Sequence, residues 1–205
     1  MKWLLTLFAG LLLATGVHAQ DVSPDALIKN VTEDVLDIVR MDKDIQAGST
    51  KKATELVEAK VLPYFNFTHM TQLALARDWH LASPEQQKTL TAEFHTLLVR
   101  TYSTALTAYK NQTVAYKPFK MLPGDTNIKV RSEIGQPGGK PIPLDYSMEK
   151  QDEGWKIYDI EVGGISLILN YRESFANEVR QGGIDGLIKS FQAKNKPGVE
   201  VSLKK

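Results

Sequence analysis

The sequence predicts an α+β fold: helices first, then an antiparallel meander, then helices again. Two changes of hydrophobic period carry that reading. Up to Lys110 apolar residues recur every three or four positions, and beyond it they alternate as far as Val162. After Gly163-Gly164 the helical spacing returns. A chain of 205 residues with 42% hydrophobic and 24% charged residues is long enough for one domain with a real core.

Ser23-Pro24-Asp25 reads as a helix start, with a capping hydroxyl, Pro at the first helical position and an acid at the positive dipole end. Leu27, Ile28, Val31, Val35, Ile38 and Val39 then fall on one face. A second helix is expected over Lys51 to Lys60, ending before Pro63, and a third from Phe67 to about Trp79. Ser83-Pro84-Glu85-Gln86 is the strongest local signal, a capping box around an N-terminal Pro. The stripe behind it runs from Leu90 through Phe94, Leu97, Leu98, Thr101 and Ala105 to Tyr109.

Four strands are expected. Thr113 to Phe119 is the first, and Pro118 keeps it near an edge or an end. Ile128, Val130, Ser132 and Ile134 alternate with charged residues, as do Ile142, Leu144, Tyr146 and Met148 with mostly polar ones. Turns fall at Gln136–Lys140 and Gln151–Gly154. In Trp155 to Val162 the apolar phase slips near Tyr158, which predicts a bulge or apolar contacts on both faces. Leu167, Ile168, Tyr171, Phe175 and Val179 open the C-terminal helices, and Gly182-Gly183 divides them. The expected organisation is a single domain over 20–195, with a helical part over about 23–110, a sheet over about 113–162, helices over about 165–194 and a frayed tail over 196–205.

Residues 1–19 read differently. Met1-Lys2 is a short positive segment, Trp3 to Val17 is apolar, and Val17-His18-Ala19 suits a cleavage point after Ala19. This is the layout of a secretory signal peptide, and its apolar run of about 15 residues falls short of the ~20 a membrane span needs. The formal net charge is +1, and losing Lys2 with this segment brings it to zero. Such a balance argues against a nucleic-acid binder, which needs a cationic excess. The absence of cysteine excludes disulfides, thiol nucleophiles and Cys-based metal sites.

Motifs for chemistry are sparse. His69, His80 and His95 have no ligand partner at helical spacing, so no metal site is expected. Gly164-Ile165-Ser166-Leu167-Ile168 lacks the closing Gly of a nucleophile elbow, and Ser166 fits a helix cap better. Gly138-Gly139-Lys140 runs into Pro141 and completes no phosphate loop. No catalytic residue is therefore assigned, although a buried Tyr146 and Asp159 could meet as an acid–base pair. The distinctive endowment is apolar: Tyr102, Tyr109, Tyr146 and Tyr171 lie on otherwise apolar faces, where Tyr can build a core or the wall of a cavity.

Two blocks resemble the MlaC family of periplasmic phospholipid-binding proteins, also known as toluene-tolerance auxiliary proteins. The first runs from Tyr64-Phe65-Asn66-Phe67-Thr68-His69-Met70 through Ala74-Leu75-Ala76-Arg77-Asp78-Trp79 and Gln86-Gln87 to the Phe94–Tyr102 helix. The second joins Leu144-Asp145-Tyr146, Trp155-Lys156-Ile157-Tyr158-Asp159-Ile160 and Gly164 to Arg172, then Phe175. The motifs W-K-x-Y-D and G-x-S-L-x-x-N-Y-R are the specific part. Two positions depart from the pattern: Asn66 stands where Asp is usual, and Ala76 where Gly is common.

The resemblance implies a helical subdomain packed on a nuclear-transport-factor-2-like cone, with lipid tails inside and the head group exposed. It implies a periplasmic shuttle between an outer-membrane lipoprotein–porin complex and an inner-membrane ABC transporter, with no enzyme activity and no cofactor. The energetics fit such a role. Exposing about 30 methylenes of a diacyl lipid to water at ~0.8 kcal/mol each costs on the order of 25 kcal/mol, so a carrier must supply a dry cavity. The expected tail contacts are Phe67, Met70, Leu98, Tyr102, Tyr146, Ile165, Leu167 and Tyr171. The rival readings are an isomerase or hydrolase on the same cone, and a non-binding adaptor with an apolar surface patch.

Overall fold

A computed structural model describes residues 22–136 and 138–196. The expected signal peptide lies outside the described residues, as does the expected tail apart from Lys196. Lys196 itself is tied down, since the Arg100 guanidinium donates to its carbonyl at 2.8 Å.

Helix α1 spans Pro24–Met41 with Pro24 in its first turn, but the Ser23 hydroxyl makes no capping bond. Its first half buries Ile28 against the sheet residues Val130, Tyr146 and Met148. Its second half packs Val35 and Val39 on Ile45 and Leu56. A single turn, α2 (Lys43–Gln46), is capped by Asp42, and α3 (Thr50–Lys60) by Ser49.

The third expected helix is shorter than its apolar pattern. Helix α4 covers Phe67–Leu75, capped by the Asn66 side chain on the His69 amide at 3.1 Å. It stops because Ala76 turns to φ 51°, ψ −123°, and the chain continues as a 3-10 segment over Ala76–Leu81. Helix α5 (Pro84–Tyr102) starts with the expected capping box. The stripe to Tyr109 is not all α-helical: Ser103–Ala108 tightens into 3-10 turns. Thr101, Thr104 and Thr107 there bond back to the carbonyls of Leu97, Thr101 and Thr104, a competition that disfavours regular helix.

The sheet has five antiparallel strands in sequence order, one more than expected. They are β1 (Thr113–Tyr116), β2 (Asn127–Gly135), β3 (Ile142–Gln151), β4 (Gly154–Val162) and β5 (Ile165–Ser166). The extra strand is a two-residue return formed as Gly163 and Gly164 adopt φ 61° and 83°, too short to show alternation. Strand β1 is at the edge and ends before Pro118, which has no N–H to offer β2. The slip of phase near Tyr158 is a bulge: Ser147 pairs with Asp159 and Met148 with Ile157, leaving Tyr158 between them.

Helix α6 (Leu169–Lys194) breaks where expected, at Gly183, whose φ of 65° and ψ of −170° are open to glycine. Its two halves close the main core with α4 and α5. Phe94 of α5 contacts Phe175 edge-on at 5.1 Å and stacks on Phe191 at 5.9 Å, with Leu90, Leu97 and Leu187 fully buried around them. Among the described residues no helix is long and apolar enough to cross a membrane.

Candidate functional site: an apolar cavity between helices and sheet

The helical half meets the sheet around a cavity of about 220 Å³. Helix α3 and the turn after it supply Val57, Val61, Leu62 and Phe65, α4 supplies Phe67 and Met70, and α5 supplies Leu98, Val99 and Tyr102. Ser103, Leu106, Ile160, Leu167 and Ile168 complete the wall. None of these lining residues carries a charge, so the interior suits hydrocarbon and rejects an unpaired ion.

The two family-like motifs hold this wall together. Asn66 N–H donates to the Ile157 carbonyl at 2.9 Å, and the Lys156 ammonium donates to the Pro63 carbonyl at 2.8 Å. Both contacts fasten the Leu62–Phe67 wall to β4. On the other side, Leu167 N–H donates to the Ile160 carbonyl at 2.8 Å, and buried Asp159 accepts from Ile168 N–H at 3.3 Å. Ser166 caps the next turn by accepting from Leu169 N–H at 2.9 Å. Arg172 donates twice to the Leu73 carbonyl, at 3.2 and 2.8 Å, and so satisfies a carbonyl in the last turn of α4. The residues of W-K-x-Y-D and N-Y-R are thus largely joints between the two halves.

A polar clasp lies behind α4. Glu149 of β3 accepts from the Asn66 amide at 2.6 Å and faces His69 Nδ1 at 2.9 Å, while the His69 ring stacks on Tyr158 at 4.5 Å. Tyr158 can reach α4 because the bulge displaces it from the strand's alternation. His95 lies edge-on to Phe67 at 4.4 Å, and burial pulls its pKa below the ordinary histidine value, against a smaller opposing pull from Glu58. Among the described residues no group of three or more His, Asp or Glu could hold a metal ion.

Of the eight expected tail contacts, Phe67, Met70, Leu98, Tyr102 and Leu167 line the cavity together. The other three are placed elsewhere. Tyr146 is buried under α1 beside Val130 and Met148, where burial raises its hydroxyl pKa. Ile165 is 64% exposed, because the glycine return turns β5 outward. Tyr171 is half-buried on α6, edge-on to Phe94 at 5.2 Å, and interacts with Tyr102 without lining the cavity. Periodicity assigns a residue to an apolar face without saying which of several clusters that face joins.

The wall also contains residues that the sequence reading passed over: Val57, Val61, Leu62, Phe65, Val99 and Leu106. For Val61, Leu62 and Phe65 the signal was the run Val61-Leu62-Pro63-Tyr64-Phe65, an apolar stretch too short and too irregular for a helix or strand, while Leu106 lay on the apolar stripe that starts at Leu90. Tyr146 and Asp159 do not form an acid–base pair. Tyr146 is paired with Ile160 and Asp159 with Ser147, so the strand pleat sends the two side chains to opposite faces.

Residues 29–193 match the family model described as MlaC protein. The "Intermembrane phospholipid transport system binding protein MlaC" of Haemophilus influenzae is 29% identical over 93% of this chain and 92% of its own. The "Toluene tolerance protein ttg2D" of Pseudomonas putida is 24% identical over 90% of this chain and 84% of its own. A phospholipid-binding protein from Ralstonia solanacearum, solved in complex with a phospholipid, superposes with a TM-score of 0.76 at 40% identity, covering 83% of this chain and 96% of that one. A family match over most of the length, on a fold whose motifs join the walls of one apolar cavity, establishes that the chain belongs to the MlaC family.

Proposed function

We propose that this protein is a periplasmic phospholipid carrier, exported by cleavage after Ala19, which holds acyl tails in the cavity and passes lipid between an outer-membrane lipoprotein–porin complex and an inner-membrane ABC transporter. The observation that carries the reading is the uncharged cavity at the junction of the two halves, lined by Phe67, Met70, Leu98, Tyr102 and Leu167. The names of the relatives, an intermembrane phospholipid transport protein and a phospholipid-bound structure, support it. Holding hydrocarbon needs no nucleophile and no titrating group, only the removal of methylenes from water.

The test is native mass spectrometry with phosphorus analysis on protein exported and purified from cells without detergent. One diacyl phospholipid per chain and an N-terminus at Gln20 are the expected results. A lipid-free chain that takes up nothing from vesicles would overturn the carrier reading. Asp159→Asn keeps an oxygen for the Ile168 amide and should leave the bound phosphorus unchanged.

A further inference from the structure

One aromatic ring stands between two spaces. Phe67, in the first turn of α4, is half-buried and stacks on Phe65 with ring centroids 5.8 Å apart, and Phe65 is part of the cavity wall. The same ring meets His95 edge-on at 4.4 Å. His95 borders a different space, an open groove between α5 and the segment that leads into it from α4. Among the described residues Phe67 alone borders both the cavity and the groove.

The groove suits hydrocarbon better than a polar ligand. Trp79, Ala92 and the Phe67 ring give it apolar surface. Two of its donors are already used within the protein. The Gln87 amide donates to the Trp79 and Ala82 carbonyls at 3.2 and 3.3 Å, and the Thr91 hydroxyl donates to the Gln87 carbonyl at 2.9 Å. Lys88 is exposed, so its ammonium can stay in water while its methylenes lie along a chain.

We infer that the Phe67 ring is the partition that closes the tail cavity against this groove, and that it sets the longest acyl chain the protein accepts. This deepens the carrier reading above and rests on it. A tail that reaches the ring can go no further, so methylenes beyond that point stay in water. Each methylene left in water lowers loading from a bilayer about fourfold. With a smaller side chain in place of Phe67 the cavity and the groove join, and the end of a longer tail gains apolar surface to lie on.

The experiment incubates delipidated full-length mature chain with mixed vesicles of diacyl phosphatidylglycerols carrying myristoyl, palmitoyl, stearoyl or arachidoyl tails in equal amounts. Native mass spectrometry counts the complexes, and a melt of each empty variant shows that it is folded. In the parent chain loading should fall by about tenfold or more at one step of that series. Phe67→Ala should move the drop to a longer tail, and Phe67→Leu, which decides the matter should the alanine variant not fold, should move it in the same direction. Adding Ala92→Trp to either variant refills the groove and should return the drop to its parent position. Equal loading of the whole series by the parent chain overturns the partition and leaves the carrier intact. So does a drop that stays in place in the folded variants, or a shift that persists with Ala92→Trp. Loss of every tail length alike would make Phe67 an ordinary wall contact and overturn the partition too. Loading of no lipid by the parent chain overturns the carrier reading itself, and the partition with it.

Discussion

The Asn66 side-chain amide donates to Glu149 Oε1 at 2.6 Å, and its own oxygen accepts from the His69 N–H at 3.1 Å. One side chain therefore caps α4 and fastens it to β3, across 83 residues of sequence. An aspartate at this position would serve the cap equally well. It has no N–H for Glu149, however. Asn66 is thus matched to a glutamate partner.

Asn66→Asp should accordingly destabilise the protein at neutral pH by about 1–3 kcal/mol, through the lost donor and a carboxylate placed against Glu149. Glu149→Gln in the same chain should restore most of the loss, because the glutamine amide can donate to the new carboxylate. Urea melts of the two single variants and the double variant give the coupling directly. Additive losses would show that Asn66 and Glu149 do not act as a pair.

Ala76 occupies φ 51°, ψ −123°, a region that side chains with a Cβ rarely adopt. The strain there is of order 1–3 kcal/mol, against roughly 0.5–1 kcal/mol of extra chain entropy that glycine loses on folding. Ala76→Gly should therefore stabilise the protein by about 1 kcal/mol and raise its melting temperature by roughly 2–4 °C. A thermal melt decides it, and a lower midpoint would place the strain elsewhere.

What the sequence made legible was local. The capping box at Ser83 and Gln86, the bulge at Tyr158 and the break at Gly182-Gly183 each depend on a few neighbouring residues, and each appears in the structure. The ends of α4 and α5 were harder, because apolar spacing continues past the points where Ala76 and the threonine run interrupt the helix. The cavity was half legible. Leu98 and Tyr102 follow from a helical stripe, but whether Tyr146 faces the same space depends on where α1 lies across the sheet, and no local pattern encodes that. Phe65 and Leu62 belong to a turn with no period at all.

His95 gives the fold a pH dependence of defined sign. Its pKa is lowered from 6.5 by burial, so the folded chain keeps it neutral while the unfolded chain protonates it. The folded state then binds fewer protons, and stability falls as pH drops from about 6.5 through the lowered value. His95→Phe retains a ring against Phe67 and removes the titration, so the acid side of the melting-temperature profile should become flatter below about pH 6.5. An unchanged slope would assign the acid sensitivity to other groups.

Leu98 and Tyr146 separate cavity from core. Leu98 borders the cavity, so a larger ring there has space to enter and should exclude the acyl tails. Leu98→Trp is expected to reduce bound phosphorus several-fold while costing less than about 1.5 kcal/mol of stability, the range of tolerated core changes. Tyr146 is packed beneath α1 among Ile28, Val130 and Met148 and is not part of the wall of the cavity between the helices and the sheet. Tyr146→Trp should overpack that layer at a cost of ~1–3 kcal/mol and leave phosphorus per folded molecule unchanged. Urea melts and phosphorus content, measured on the same two preparations, give both quantities. The reverse pattern, with Tyr146→Trp losing lipid and Leu98→Trp losing only stability, would move the binding space from the junction of the helices to the region under α1.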